Sequence, residues 1–174
     1  RIVIGGDQTW YGDEDDLLTR WGYFGDWDKT YAQDGTMLEE EIEIHGNLQG
    51  QKQFHTNFGI VHRNRYYNGN YYKETQPMMY AQITPVSGLR VSNFFRLGKQ
   101  IDFANDRLGD ILLLEPSVSW DANRHVKLQV SYNYNKLDVK GGELFAANQV
   151  DFRATYQFDM RSNLKFVLQY TDIN

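Results

Sequence analysis

Cysteine is absent from this chain of 174 residues, which excludes a disulfide scaffold and thiolate metal sites. Proline is scarce, with 3 residues, so few positions forbid a backbone N–H from joining a strand ladder. Long apolar runs are missing as well. The longest stretches are four residues, such as Ile111–Leu114, whereas a membrane-crossing helix needs about 20. There is no basic block, and the net charge is −5, which argues against nucleic acid as a partner. No basic-then-apolar signal segment opens the chain at Arg1, and we read it as a mature product or a piece of a longer chain.

What is present is aromatic and alternating. Aromatic residues make up 15%, with 12 Tyr, against 41% hydrophobic and 24% charged residues, a composition that can order. Between His125 and Asn135, Val126, Leu128, Val130, Tyr132 and Tyr134 alternate with Lys127, Gln129, Ser131 and Asn133. Strict alternation is a strand signal, because successive side chains point to opposite faces. The pattern returns at Val150, Phe152, Ala154, Tyr156 and Phe158, at Leu164, Phe166, Leu168 and Tyr170, at Leu112–Trp120, and at Ile42, Ile44 and Leu48. Tight turns centre near 13–16, 49–51, 87–88, 121–123 and 161–163. Between them lie segments rich in Gly, Asn, Asp, Tyr and Lys, near 27–36, 64–73, 102–108 and 137–148, which read as long connections. The rhythm predicts one domain over 1–174 with about ten antiparallel strands of about 10–13 residues. Residues 37–44 also fit an amphipathic helix, but the rhythm places a strand there.

Alternation fits a soluble barrel with its apolar face inward, or a membrane barrel with that face outward. Strands longer than the ~5–6 residues usual in globular sheets favour the membrane. So do apolar-face aromatics near strand ends, Trp120, Phe158 and Tyr134, and short turns at one end against long loops at the other. The opposite face carries Glu41, Glu43, Arg90, Arg96, Glu115, Lys127, Asp151, Arg153 and Lys165. Burying such charges unpaired costs several kcal/mol each, so these nine are the lumen-facing candidates. Val126, Leu128, Val130, Phe152, Ala154, Phe166 and Leu168 are the lipid-facing candidates. The mean hydropathy of −0.63 agrees, since only alternate residues need be apolar. The expected class is an all-β, antiparallel up-and-down transmembrane β-barrel.

Leu114–Trp120 (LEPSVSW), Tyr132–Asp138 (YNYNKLD), Gly141–Phe145 (GGELF) and the strand ends Tyr156–Phe158 and Leu168–Tyr170 carry a resemblance. Over roughly residues 109–170 the chain resembles the C-terminal β-barrel, a domain of unknown function, of Gram-negative outer-membrane proteins with an N-terminal carbohydrate-binding family 9-like module. The resemblance implies a bacterial outer-membrane location, the bilayer as partner and a link to saccharide handling. No sugar-contacting residue carries over, because that module is not in this chain. The family's barrels are larger, which implies a barrel fragment completed by another segment or subunit, with at least one terminal strand lacking a partner in this chain.

Catalytic and metal motifs are weak. His45, His55, His62 and His125 show no metal-ligand spacing, and His55 and His62, seven apart, fall on opposite faces of one strand. No nucleophile elbow or triad context is visible. Asp13–Asp16 reads as a solvated acidic turn, and Glu39–Glu41 is split between faces. The expectation is therefore no enzyme, no metal and no cofactor. Tyr66, Tyr67, Tyr71 and Tyr72 surround Asn68-Gly69-Asn70 and are candidates for binding through an outer loop. The functional expectation is a pore or transport scaffold. The alternatives are a non-conducting membrane anchor for a separate domain and a soluble β-barrel that binds a small apolar ligand.

Overall fold

The computed structural model describes residues 1–173. It holds ten strands: β1 (Ile2–Tyr11), β2 (Leu18–Tyr31), β3 (Met37–Gly50), β4 (Phe54–Tyr67), β5 (Asn70–Val86), β6 (Leu89–Asp102), β7 (Arg107–Asp121), β8 (Val126–Val139), β9 (Gly142–Gln157) and β10 (Asn163–Ile173). They form one sheet in sequence order, every pair antiparallel. Residues 37–44 are strand, as the hairpin rhythm requires.

One expectation is corrected. The segments read as long loops are mostly strand, and the connections at that end are short: 32–36, Asn68-Gly69, 103–106 and Lys140-Gly141. Asn68 and Gly69 both have positive φ (45° and 85°), the conformation of a two-residue hairpin turn whose twist matches that of its strands. Polar composition suggested a loop because both faces of the strands become polar there. The strands, at 10–17 residues, are therefore longer than the 10–13 expected, and the contrast of short turns with long loops does not hold.

Besides short register shifts in the β2–β3, β5–β6 and β8–β9 pairs, the ladder breaks off in one place. Pairing of β5 with β6 runs from Val86↔Leu89 to Met78↔Arg96 and is not continued toward the 103–106 turn. Gly98 lies just beyond, at φ 129°, where a Cβ would come 1.9 Å from the Thr75 carbonyl oxygen. Two side chains replace the missing ladder bonds. Gln76 Nε2 donates to the Lys99 carbonyl (2.8 Å), and the Ile101 N–H donates to Glu74 Oε1 (3.0 Å). Satisfying buried backbone groups explains why two polar side chains, Glu74 and Gln76, are buried.

The sheet is not closed. Among the described residues β1 pairs only with β2 and β10 only with β9. Nearly all of β10 is exposed, so the expected terminal strand without a partner is present at each edge.

Candidate functional site

Residues directly opposite in an antiparallel pair share a face, so the registers divide the chain into two surfaces. Val126↔Tyr156, Leu128↔Ala154 and Val130↔Phe152 continue to Phe166 and Leu168 on β10 and to Trp120 and Val118 on β7. All seven apolar candidates share this face. On the other face Arg90↔Ser119↔Gln129↔Arg153, Phe94↔Glu115 and Asp121↔Lys127 are joined to Asp151 and Lys165. Arg96↔Met78↔Gly59↔His45 carries that face across to β3, where Glu43 and Glu41 stand. All nine charged candidates therefore lie on the second face.

The charged face is the sheltered one. Asp28, Glu74, Gln76 and Asp102 are buried, while Ile42, Ile44, Phe58, Ile60, Val118, Val130 and Phe166 are exposed. Among the described residues no second layer covers either face, so the shelter comes from curvature of the sheet toward its polar side.

The apolar face has a defined height. Toward the 103–106 end it stops at ion pairs: Lys29–Glu40 (3.4 Å), Lys99–Asp110 (2.6 Å) and Lys136 with Asp138 (2.9 Å) and Glu143 (3.4 Å). Toward the other end it finishes in Trp10, Trp120, Tyr156 and Phe158. On β7 the run from Leu112 to Trp120 is about 27 Å long, or ~21 Å high at a 40° tilt, near the ~25 Å apolar band of membrane barrels.

The polar face has two unlike regions. On β3–β5 the charges are largely paired, whereas Arg20 and Asp26 on β2 have no ion pair among the described residues. Glu39 accepts from Arg65 (2.7 Å), Glu41 pairs with Arg63, Asp28 with Arg1 (2.5 Å), and Glu43 with His45 (3.1 Å), whose ring stacks on Phe24. On β6–β10, Arg90, Arg96, Arg153 and Lys165 have no ion pair among the described residues, and Lys127 meets only Asp121 (3.4 Å). Glu115 accepts from Asn133 and Asp151 from Gln149 (both 2.7 Å). Here Ser117, Ser119, Gln129, Ser131, Asp151 and Arg153 line a hollow of about 220 Å³.

The tyrosine candidates do not form one platform. Tyr67 and Tyr72 lie on the polar face, donating to the carbonyls of Phe103 (3.2 Å) and Asp106 (2.7 Å). Tyr66 and Tyr71 lie opposite each other on the apolar face. His55 and His62 fall on opposite faces, as expected. Asp34, in the β2–β3 connection, accepts from the Thr36 N–H (2.9 Å), which holds its carboxyl below the ordinary range. Among the described residues no three His, Asp or Glu are grouped for a metal.

Sequence reasoning missed the Glu39–Arg65 and Glu41–Arg63 ladder. Its signal was present: partners across a turn centred on Lys52 have numbers that sum to 104.

No family model matches this chain, and no curated protein matches it. One solved structure does: OmpTdeltaL8, the loop L8 deletion mutant of OmpT, an outer membrane protein of Vibrio cholerae. It aligns at a TM-score of 0.56 and 11% identity, over 98% of this chain and 57% of that one. The fold is that of an outer-membrane β-barrel. This chain spans little more than half the length of that barrel. Its ten strands are an up-and-down barrel wall with both edges open.

Proposed function

We propose that this chain forms part of the wall of a bacterial outer-membrane β-barrel that serves as a pore or transport scaffold, its apolar face against lipid and its polar face lining a wet lumen. The observation that carries this reading is the exposed apolar band, bounded by ion pairs at one end and aromatic rings at the other, behind a sheltered charged face. Unpaired backbone groups at a sheet edge are costly in hydrocarbon. The edges at β1 and β10 are therefore completed by strands of another segment or subunit. The resemblance to the family 9-linked barrels extends the reading to saccharide handling, and no catalytic step belongs to it.

The soluble alternative needs a sheltered apolar face, and Ile42, Ile44, Phe58, Ile60, Val118, Val130 and Phe166 on that face are exposed. The anchor reading needs a filled lumen of paired charges. Pairing on β3–β5 fits it, while the free cations and the hollow on β7–β9 favour a lumen that holds water and solute.

The test is placement of arginine on each face. Val130→Arg should lower folding stability in lipid vesicles by about 2–4 kcal/mol, and Ser131→Arg by much less. Nitroxide labels at 128 and 130 should report lipid, and labels at 127 and 129 water; the reverse pattern overturns the reading. Conductance in a planar bilayer separates pore from anchor.

A further inference from the structure

Three serines, Ser117, Ser119 and Ser131, line the hollow on β7–β9, whose floor includes Val118 and Val130. Ser92↔Ser117↔Ser131 and Ser119 stand on the polar face of neighbouring strands, where longer side chains would fill the space. Ser117 is held by a hydrogen bond with Ser92 on β6 (2.8 Å). Gln129, Asp151 and Arg153 rise around the rest. Its volume, about 220 Å³, suits a single six-membered polyol ring.

The lining selects by charge. Asp151 and Arg153, two apart on one face of β9, share no ion pair among the described residues; Asp151 accepts from Gln149 instead. An anionic solute gains the Arg153 guanidinium but meets the Asp151 carboxylate, and a cationic one gains the carboxylate but meets the guanidinium, so neither charge is favoured by both groups. A neutral solute with adjacent hydroxyls can donate to the carboxylate and accept from the guanidinium at once. Hydroxyls and an amide, able both to donate and accept, supply the remaining contacts. The two large hollows on the opposite face are lined chiefly by apolar groups such as Ile44, Phe58, Ile60 and Met79, so the polar lining is particular to this side of the wall.

We infer that the hollow formed by Ser117, Ser119, Gln129, Ser131, Asp151 and Arg153 is a binding site for one ring of a neutral saccharide. The site rests on the wet-lumen reading and names its solute class.

The experiment is a saturation-transfer NMR titration of the full chain in detergent micelles with maltotriose and xylotriose, and with galacturonate and glucosamine as charged probes. At least one neutral trisaccharide should bind saturably and more tightly than either charged probe. Ser131→Phe, which fills the hollow, and Gln129→Ala, which removes an amide without adding bulk, should each weaken binding, Gln129→Ala by about tenfold. The site is overturned if neither trisaccharide saturates, if a charged probe binds best, or if Gln129→Ala binds as the parent does. A nitroxide at 127 distinguishes the two failures. Water contact without sugar binding removes the site and leaves the lumen standing, whereas lipid contact removes both.

Discussion

The β3–β5 and β7–β9 stretches of the polar face have similar backbones and opposite chemistry. On β3–β5, Glu39, Glu41 and Glu74 are matched by Arg63, Arg65 and backbone N–H groups. On β7–β9, Arg153 stands without an ion pair, Asp151 takes only an amide, and serines leave space between them. In a sheltered site, a charge is tolerated when its partners are near, and removing one partner strands the other. Where water reaches, a free charge costs little and remains available to a solute. The first stretch behaves as wall, and the second is the part free to bind.

The comparison can be broken by substitutions in each stretch. The largest effect should come from Glu74→Ala. It leaves the buried Ile101 N–H without its acceptor, and we expect a loss of about 1–3 kcal/mol in urea unfolding from vesicles. A loss below a few tenths would mean that water already serves that N–H, and the wall would then be as wet as the hollow. Gly98→Ala comes next. Its φ of 129° and the nearby Thr75 carbonyl set a cost of at least about 1 kcal/mol, read in the same titration. A neutral outcome would show that β5 and β6 can separate freely at that end. Arg153→Met should be the mildest, within about 0.5 kcal/mol of the parent. Its mark should be on the cation-to-anion permeability ratio in planar bilayers, moving it toward cations. A large stability loss would instead make Arg153 part of a paired wall like Arg63.

Much of this was legible from alternation. A period of two assigns each strand residue to a face without knowledge of its neighbours, and the registers set Val130 opposite Phe152 and Gln129 opposite Arg153. The turn-forming segments set the number of strands. The upper connections were misjudged because composition cannot distinguish a loop from a strand that has left the apolar band: Lys136, Asp138 and Glu143 are polar on the outer face and still in the ladder. The tyrosines around Asn68 were grouped for the same reason, although a two-residue turn puts Tyr67 and Tyr72 on one face and Tyr66 and Tyr71 on the other.

Local alternation and turn chemistry make this a turn-punctuated chain with one apolar and one charged face, because side-chain direction in a strand is a local property. Which face is sheltered, which carboxylate meets which guanidinium, and where three serines on neighbouring strands leave a hollow emerge from the folded sheet. Those outcomes depend on sheet curvature and on the register between strands distant in the chain. Shifting a register by one residue would exchange the faces of a whole strand, so side chains far apart in sequence meet only once every hairpin is in place.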